Sequence, residues 1–281
     1  MDKFSVKGKT AVLTGAARGL GLEFADVLAS AGANIAVLDV GSPGDSLDQL
    51  AAKHGVKAKF YKTDVTRRDE VVAAVAAIEA DFGSVDINVN AAGIVKDEPF
   101  LSTSDINLSS TFSVNFVGSF LVAQACAQTM VRQHKKTANG SNGAATNEVT
   151  PINNTTAGSI VFIGSVASHV PTTVQNISVY CASKSAVRGL VKPLAMELAP
   201  YGIRVNSLSP GPMKTAMYQQ VAAEQPSFAR QVERETLFGR VGNPEELKGV
   251  VLFLCSSASS WMTGQDLLVD GGATSWNYPA A

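Results

Sequence analysis

The sequence has few of the residues from which disulfide frameworks and metal centres are built. It contains three cysteines and three histidines in 281 residues, and Cys126, Cys181 and Cys255 stand far apart with no paired spacing. This pattern argues against a disulfide framework and a tetrathiolate metal site, and it favours a reducing, cytoplasmic location. There is no His-Glu-x-x-His sequence and no clustered carboxylate loop, so we expect no metal.

Net charge and long apolar runs are also scarce. The 23 basic and 24 acidic residues leave a formal charge of −1, so nothing favours binding to nucleic acid or to an anionic membrane. Polar residues interrupt the apolar stretches before about 18 positions, which argues against a membrane-spanning helix. With 46% apolar residues, the chain is predicted to be one soluble domain over residues 1–281.

Short β-prone runs alternate with segments of helical periodicity along most of the chain. The predicted strands are residues 10–14, 34–38, 58–61, 85–89, 158–163, 203–208 and 267–269. Strands that alternate with helices pair in parallel through crossovers, and short apolar strands suit a sheet that is buried on both faces. We therefore predict an α/β fold with a doubly wound, seven-stranded parallel sheet and helices on both faces.

Residues 135–157 interrupt this alternation. They are rich in Asn, Thr, Ser, Gly and Ala and contain almost nothing that can be buried. We predict a flexible loop inserted between a helix and the next strand. A tolerated insertion needs no special cause, and an interaction arm is the alternative.

A glycine-rich turn follows the first predicted strand and opens the first helix. In Thr14-Gly15-Ala16-Ala17-Arg18-Gly19-Leu20-Gly21, backbone N–H groups and the helix dipole can converge on a pyrophosphate. The three glycines allow a tight turn and a close approach of the ligand. The spacing Gly-x3-Gly-x-Gly differs from the common dinucleotide fingerprint, so an ordinary strand-to-helix connection is the alternative.

The nature of the dinucleotide depends on two charged residues. Asp39 closes the second predicted strand about 20 residues after the turn, where a carboxylate can accept hydrogen bonds from an adenosine ribose. The same carboxylate repels a 2′-phosphate, which favours NAD over NADP. Arg18 is a contrary sign because a guanidinium can pair with that phosphate, so NADP stays possible.

The ends of the third and fourth predicted strands supply further candidate contacts to the cofactor. Asp64 and Val65 follow the third strand and are assigned to the adenine end of the crevice. Asn90 and Gly93 delimit a short segment that offers small residues and an amide to the middle of the cofactor. Both segments lie at the carboxyl ends of parallel strands, where such sheets bind ligands.

The residues best suited to chemistry are a tyrosine and a lysine four positions apart. Tyr180 and Lys184 open a predicted helix, so both side chains project from one face. A nearby ammonium favours the phenolate, and a phenol with an ordinary pKa of about 10 needs such help to act as an acid or base near neutrality. A tyrosine at a helix end beside a snorkelling lysine is the structural alternative.

A serine after the fifth predicted strand is a further candidate. Ser165 can direct its hydroxyl into the crevice toward a carbonyl oxygen. No Gly-x-Ser-x-Gly sequence is formed, and no histidine and carboxylate stand in a hydrolase arrangement, so Ser-His-Asp hydrolysis is not favoured. His169 is near enough to line a pocket, but a loop histidine is the simpler interpretation.

Together these motifs resemble the single-domain branch of the short-chain dehydrogenase/reductase family. The pattern comprises Thr14-Gly15-x3-Gly19-x-Gly21, Asp64, Asn90-Ala91-Ala92-Gly93, Asn115, Ser165, Tyr180-x3-Lys184 and Pro210-Gly211. It covers almost the whole chain. Three features depart from the family's pattern: Asn88 replaces an apolar residue, Ala91 stands where an Asn is usual, and the connection from Ser165 to Tyr180 is longer than is common.

The resemblance implies a Rossmann-like fold, a nicotinamide cofactor and a catalytic tetrad. Tyr180 would be the acid/base, and Ser165 would orient the substrate oxygen. Lys184 would lower the tyrosine pKa and hold the nicotinamide ribose, while Asn115 would anchor a water on the proton path. The cofactor would supply the hydride step and the protein the positioning.

The resemblance also assigns the segment after the sixth strand. Pro210, Met213 and Thr215 would lie beneath the nicotinamide, and Met213 and Thr215 would contact its carboxamide. Residues 213–237 would form a substrate lid. A homo-oligomer, either a tetramer or a dimer, is expected by the same analogy.

The sequence therefore predicts an NAD(P)-dependent oxidoreductase that transfers a hydride between the cofactor and a secondary alcohol or ketone. A polyol/ketose pair or a ring-bearing natural product would fit as the small-molecule substrate. A non-catalytic dinucleotide-binding sensor or scaffold is the alternative, against which the intact Tyr180 and Lys184 argue. An epimerase or dehydratase that uses bound NAD usually has a longer substrate domain.

Overall fold

The strands form one parallel sheet whose order reverses in the middle. The computed structural model describes residues 2–139 and 157–275, and its strands are β1 (Thr10–Thr14), β2 (Asn34–Asp39), β3 (Ala58–Lys62), β4 (Ile87–Asn90), β5 (Gly158–Ile163), β6 (Ile203–Pro210) and β7 (Asp266–Val269). Their order is β3-β2-β1-β4-β5-β6-β7, and every neighbouring pair is parallel. The predicted fold class is confirmed, and the order reverses between β1 and β4.

Helices cover both faces of this sheet. They are α1 (Gly19–Ser30), α2 (Ser46–His54), α3 (Arg68–Phe82), α4 (Asp105–Phe112), α5 (Ser119–Asn139), α6 (Ser178–Leu198), α7 (Ala216–Glu224), α8 (Pro226–Arg234) and α9 (Lys248–Cys255). One hydrophobic cluster joins the sheet to α3, α5 and α6, and a second joins its other face to α1, α2 and α9. The two layers of helices explain why the central strands β1, β4, β5 and β6 are buried at every position.

Two helices on opposite faces end on glycines in the left-handed conformation. Gly55 terminates α2 with a φ of 67°, and Gly83 terminates α3 with a φ of 84°. Glycine adopts this conformation without the steric cost that a Cβ brings, so the chain can leave the helix sharply and enter the next strand. The connections from α2 to β3 and from α3 to β4 are therefore short.

The helical pattern of residues 105–134 contains an interruption that periodicity does not predict. A π-helical turn, Ser113–Gly118, separates α4 from α5. The helix then continues to Asn139, so the prediction of a loop is wrong for residues 135–139. Lysines are good helix formers at exposed positions, and composition alone did not distinguish such a helix end from a loop. Residues 140–156 of the predicted loop lie outside the described residues.

One apolar stretch is longer than the sequence analysis expected. Residues Asp105–Lys135 satisfy the length and composition of a membrane span, but 61% of the most apolar window is buried inside the protein. Ala123, Cys126 and Met130 of this stretch belong to the cluster against the sheet. Its apolar character is therefore that of a core helix.

Candidate active site

The predicted site residues lie along one edge of the sheet. Each strand from β1 to β6 ends in, or is followed by, one of them: Gly15, Asp39, Asp64, Asn90, Ser165 and Pro210. Because parallel strands all have their carboxyl ends on the same side, these positions meet at one edge, including the point where the strand order reverses.

The glycine turn is shaped by contacts that exclude side chains. Gly15 has a φ of 64°, and a Cβ at this position would lie 2.6 Å from the Cα of Ala92. A Cβ on Gly21 would collide with the carbonyl of Gly15. Gly19 has a φ of 60° and begins α1, preceded by Arg18 in an extended conformation. The turn therefore packs closely on the segment after β4 and leaves the N-terminal N–H groups of α1 available.

Asp39 fixes the turn from the neighbouring strand. Its Oδ2 accepts a hydrogen bond of 3.1 Å from the Ala17 N–H, and its Oδ1 accepts one of 3.0 Å from the Gly41 N–H. The carboxylate thus stands beside the turn, as its position in the sequence predicted. The side chain of Arg18 is exposed.

A network of buried amides joins β1 to β4. The Thr14 hydroxyl accepts hydrogen bonds from the N–H groups of Ala91 and Ala92, at 3.1 and 3.0 Å. Asn90 Nδ2 donates to Asn88 Oδ1 at 2.7 Å, and Asn88 Nδ2 donates to the Val12 carbonyl at 3.3 Å. Asn88 therefore has a polar partner in the core of the sheet.

The segment after β3 is held by a local turn and by packing. Asp64 Oδ1 accepts hydrogen bonds from the N–H and the hydroxyl of Thr66, at 2.9 and 2.8 Å. Val65 is buried against the π-helical turn, where a Cβ on Gly118 would lie 2.6 Å from its Cγ2. Val65 thus joins the predicted adenine end of the crevice to the element that carries Asn115.

Asn115 lies fully buried within the π-helical turn. Its Oδ1 accepts from the Ile94 N–H at 2.8 Å, and its Nδ2 donates to the Ile94 carbonyl at 2.9 Å and to Ser183 Oγ at 2.9 Å. Ser183 in turn donates to the carbonyl of Tyr180 at 2.8 Å. Single π turns are frequent at functional sites, and this one carries an amide that joins the loop after β4 to α6.

Tyr180 lies in the first turn of α6 beside the serine that follows β5. Burial raises the pKa of the Tyr180 phenol above its usual value, and the nearby Ser165 side chain has a smaller effect that lowers it. Ser165 is itself buried and accepts a hydrogen bond of 3.1 Å from the Ala167 N–H. The structure thus brings together the two groups that the sequence placed fifteen positions apart.

Lys184 lies one turn further along α6 and is 5% exposed. Its Nζ donates to the Ile163 carbonyl at 2.7 Å and lies 5.8 Å from the centre of the Tyr180 ring. Burial lowers the pKa of Lys184 from 10.5 to about 8. The net pKa shift of the Tyr180 phenol is upward, because loss of hydration outweighs the favourable contact with Ser165.

The segment after β6 leads into two short helices, α7 and α8. Pro210 is buried at the end of β6, and Met213 pairs with Gly242 in an isolated bridge. Thr215 Oγ1 accepts from the Tyr218 N–H at 3.3 Å and so caps α7. Its hydroxyl proton is left available to donate.

Cysteines and histidines form no second chemical centre in the part of the chain that the structure describes. Burial raises the pKa of both the Cys126 and the Cys255 thiols to about 12. Burial also raises the pKa of the half-buried Cys181. Across residues 2–139 and 157–275, no three His, Cys, Asp or Glu side chains come close enough to hold a metal ion.

Known proteins share both the sequence pattern and the fold. A family model described as short chain dehydrogenase matches residues 9–226. The chain is 37% identical over 276 residues to a gluconate 5-dehydrogenase of Gluconobacter oxydans (strain 621H), covering 97% of each chain. It is 35% identical over 274 residues to a galactitol 2-dehydrogenase (L-tagatose-forming) of Cereibacter sphaeroides, covering 97% of this chain and 98% of the relative. The chain belongs to the short-chain dehydrogenase/reductase family.

A solved structure of this family shows the same architecture. It is a gluconate 5-dehydrogenase from Burkholderia cenocepacia J2315 in complex with NADP and tartrate, with a TM-score of 0.84 and 33% identity over 98% of this chain and 99% of that one. The chain is accordingly a nicotinamide-dependent oxidoreductase that interconverts a secondary alcohol and a ketone, with a small-molecule substrate. The alternative of a non-catalytic sensor is not supported.

The crevice of this short-chain dehydrogenase fits a dinucleotide. Asn90 Oδ1 is a buried acceptor without a partner among the described residues, and it lies at the carboxyl end of β4. A side chain at Gly93 would begin 3.3 Å from Asn115 Oδ1 and 3.5 Å from Lys184 Nζ, so the glycine lies directly against both groups. With the open N-terminus of α1, these features provide acceptors, donors and space along one edge of the sheet.

The structure explains the departures from the family pattern. Asn88 accepts a hydrogen bond from Asn90 Nδ2 within the core, and the Ala91 N–H donates to the Thr14 hydroxyl. The long connection between Ser165 and Tyr180 crosses to the end of α8, where Glu235 accepts hydrogen bonds from the Thr172 hydroxyl and from the Thr173 N–H and hydroxyl.

Several residues of the site escaped the sequence analysis. They are Thr14, Ser183 and Glu235. Each acts through a partner that is at least 60 positions away in the sequence: Ala91 and Ala92 for Thr14, Asn115 for Ser183, and Thr172 and Thr173 for Glu235. Spacing within one element carries no signal for such contacts.

Proposed function

We propose that Tyr180 is the acid/base of the reaction, with Ser165, Lys184 and Asn115 as its supporting groups. The observation that carries this proposal is the convergence of Ser165, Tyr180 and Lys184 from β5 and α6 at one edge of the sheet. The Tyr180 phenolate accepts the proton of the alcohol in oxidation, and the phenol formed in this way returns that proton in reduction. When bound, the nicotinamide supplies or accepts the hydride, which no side chain can do.

The supporting groups act on the phenol and on the substrate oxygen. Ser165 has a hydroxyl that can donate to a carbonyl oxygen, and its contact with Tyr180 lowers the pKa of the phenol. Lys184 places a buried ammonium beside the ring and favours the phenolate over the phenol. Asn115 secures the loop after β4 and, through Ser183, the first turn of α6.

The dinucleotide is assigned to the turn and the strand ends. The residues proposed to contact it are Gly15, Arg18, Gly19, Leu20, Gly21, Asp39, Asp64, Val65, Asn90, Gly93, Tyr180, Lys184, Pro210, Met213 and Thr215. We infer NAD as the preferred form because the Asp39 carboxylate, held against the turn, would repel a 2′-phosphate. NADP, which the structure from Burkholderia cenocepacia contains, stays possible through Arg18.

We propose a polyol, a sugar acid or the corresponding keto compound as the substrate. The named relatives support this class, since one is a gluconate 5-dehydrogenase and another a galactitol 2-dehydrogenase. Both names describe a secondary alcohol within a chain of hydroxyl groups. Such a substrate requires polar contacts along the crevice as well as the one oxygen that Tyr180 and Ser165 would bind.

Residues 213–237 are proposed as the substrate lid. They comprise α7 and α8, and the rings of Tyr218 and Phe228 pack with their centres 6.3 Å apart. Burial raises the pKa of the Tyr218 phenol. The far end of this segment is held by Glu235, which binds the connection between Ser165 and Tyr180. The proposed lid is thus linked to the connection that joins Ser165 to Tyr180.

We further propose a homo-oligomer in the cytoplasm. Large apolar side chains are exposed around the start of α4, with Phe100 79%, Leu101 97% and Ile106 72% exposed. A second copy of the chain would cover this patch and remove its apolar surface from water. Size-exclusion chromatography with light scattering tests this, and a monomer at all accessible concentrations would contradict it.

A direct spectrophotometric assay tests the proposed reaction, substrate class and cofactor. The protein is mixed with NAD or NADP and gluconate, galactitol or sorbitol, or with NADH or NADPH and the keto compounds, and absorbance of the reduced cofactor is followed. Turnover of at least one sugar-chain alcohol is expected, faster with NAD than with NADP. Turnover confined to apolar cyclic ketones would reject the substrate class but keep the catalytic residues.

A further inference from the structure

A histidine, an arginine and an aspartate form a continuous set of hydrogen bonds beside the Ser165 turn. His169 Nε2 lies 2.6 Å from Asp266 Oδ2, and His169 Nδ1 lies 3.0 Å from Arg188 Nη1. Because a guanidinium can only donate, Nδ1 is the acceptor and the ring proton is on Nε2, which donates to the carboxylate. One neutral tautomer therefore satisfies both neighbours. We call this set the His169 bridge.

The His169 bridge begins at the end of the turn that carries Ser165. Ser165 accepts from the Ala167 N–H at 3.1 Å and so starts a short 3₁₀ turn, Val166–Ser168. The Ser168 hydroxyl donates back to the Ser165 carbonyl at 2.8 Å, and the His169 N–H donates to the Val166 carbonyl at 2.9 Å. His169 and Ser165 are thus joined through the hydrogen bonds of one short turn.

The two ends of the bridge are anchored in the parts of the fold that surround the chemistry. Arg188 lies on α6, four positions after Lys184 and eight after Tyr180, so the three side chains share one face of the helix. Asp266 lies on β7, and its Oδ1 accepts from the hydroxyls of Ser207 and Ser209 on β6, at 2.6 and 2.8 Å. The bridge therefore spans from the helix that carries Tyr180 to the sheet beneath Ser165.

We propose that His169 is a positioning residue for the reaction, which holds the Ser165 hydroxyl at its contact with Tyr180 by bridging Arg188 and Asp266. This inference rests on the proposed function, because it gives Ser165 and Tyr180 their roles. His169 itself does not reach the reacting atoms. Both of its ring nitrogens are occupied by protein partners, so it is not a base for the substrate.

A second histidine–aspartate pair in the same protein provides a matched control. His54 Nε2 lies 2.8 Å from Asp26 Oδ1, and the side chains of His54 and His169 have similar exposures of 13% and 19%. The His54 pair joins α2 to α1 and has no contact with the Ser165 turn. Its removal reports the cost of losing a half-buried pair without affecting the chemistry.

The test compares His169→Ala, His169→Gln and His54→Ala in steady-state alcohol oxidation and in thermal unfolding. We expect His169→Ala to lower kcat by about ten- to a hundredfold, as small misplacements near a reacting group do, with the KM for the dinucleotide unchanged. His169→Gln retains an N–H donor for Asp266 and should recover most of the rate. His54→Ala should affect only the unfolding temperature.

Two further measurements, a pH profile of kcat and a double-mutant comparison, distinguish a positioning role of His169 from a purely structural one. Weaker contact between Ser165 and Tyr180 removes an effect that lowers the pKa of the phenol, so the rising limb of kcat against pH should move to higher pH in His169→Ala. In a Ser165→Ala background, the same change should cause no further loss of kcat. An unshifted pH limb, or losses that multiply, would overturn the proposal.

The two proposals fail separately. If Tyr180→Phe stays fully active, the proposed function is wrong. If Tyr180→Phe is inactive while a folded His169→Ala turns over at the wild-type rate, only the positioning role is rejected. If His169→Ala does not fold, His169→Gln and Arg188→Met are measured in its place. Wild-type rates and wild-type pH profiles in both variants would reject the positioning role of His169.

Discussion

The glycine turn and the proposed catalytic cluster (Asn115, Ser165, Tyr180 and Lys184) share one edge of the sheet but are built in different ways. The turn depends on backbone shape: Gly15 and Gly21 leave no room for side chains, and one carboxylate, Asp39, binds two N–H groups. The cluster depends on side chains from separate elements: Asn115 donates a hydrogen bond to Ser183, and the Ser165 side chain lowers the pKa of Tyr180. The glycine turn therefore offers a backbone surface to a ligand, and the cluster offers side chains held in position.

This difference predicts that the two regions fail in different assays. Changes in the turn should weaken binding of the dinucleotide and leave the chemical step intact once the cofactor is saturating. Changes in the cluster should slow the chemical step and leave binding largely intact. The four predictions that follow run from the largest expected effect to the smallest.

The largest effect is expected at Tyr180. Tyr180→Phe removes the phenol oxygen and keeps the ring, so kcat should fall by about a hundredfold to ten-thousandfold, as expected for loss of a general acid–base. Binding of NADH, followed by fluorescence titration, should be unchanged. Tyr201→Phe, on a tyrosine outside the cluster, serves as the control. Weakened NADH binding in Tyr180→Phe would erase the distinction between the two regions.

The turn is tested at Gly15. Gly15→Ala introduces a Cβ 2.6 Å from the Ala92 backbone at a φ of 64°, and the combined strain and overlap should cost about 2–4 kcal/mol. We expect the dinucleotide KM to rise by about thirtyfold or more, with kcat at saturation much less affected.

Gly55→Ala is the matched control for this change. Gly55 has nearly the same φ, 67°, but nothing lies within 4 Å of the added Cβ. It should therefore lower stability slightly and leave the dinucleotide KM as it is. Equal effects of the two substitutions would show that backbone strain, and not the close approach to Ala92, accounts for the loss.

The third prediction concerns Lys184 of the proposed cluster, because a buried ammonium should lower the free energy of unfolding. Because burial lowers its pKa from 10.5 to about 8, the unfolded chain binds more protons between these values and stability rises with pH across that window. Lys184→Met should therefore be more stable than the wild type at pH 7 by about 1–3 kcal/mol, and the difference should vanish above about pH 10.5. The loss of the bond to Ile163 makes the gain smaller than the full shift.

Urea unfolding at both pH values measures this effect. Lys192→Met, on an exposed lysine of the same helix, is the control and should show no such pH dependence. A Lys184→Met protein that is inactive and no more stable at pH 7 would mean that the ammonium is well accommodated in the fold.

The smallest effect concerns the choice of cofactor. Asp39→Asn keeps an acceptor for the turn but removes the negative charge, so the ratio of kcat/KM for NADP to that for NAD should rise by about tenfold. Asp48→Asn, an equal change of charge at an exposed position of α2, should leave the ratio unaltered. An unchanged ratio in Asp39→Asn would remove the carboxylate from cofactor selection.

Local patterns in the sequence predicted most of the fold. The alternation of runs gave all seven strands within about three residues, and helical spacing placed Tyr180 and Lys184 on one face. The glycine turn was recognised because left-handed and crowded positions admit glycine alone. These features depend on neighbours within a few positions, which a single sequence records.

The features that the sequence did not predict are one irregular helical turn and several contacts or burial effects created by folding. The π-helical turn has the same apolar spacing as an ordinary helix, so periodicity did not separate it from α4 and α5. The sequence alone indicates a simple loop histidine at His169, because its partners Arg188 and Asp266 are 19 and 97 positions away. The pKa of Tyr180 is raised because burial outweighs the contact with Ser165, and residue spacing does not reveal burial.

The sequence by itself determined that this chain forms a parallel sheet with a glycine turn, and which groups are available for chemistry. Short-range steric and periodic rules suffice for that. Only the tertiary structure decided which of those groups meet, how deeply Lys184 is buried and what holds Ser165 in place. Hydrogen bonding and loss of hydration depend on atoms that are brought together by folding, and their positions are not written in the spacing of residues.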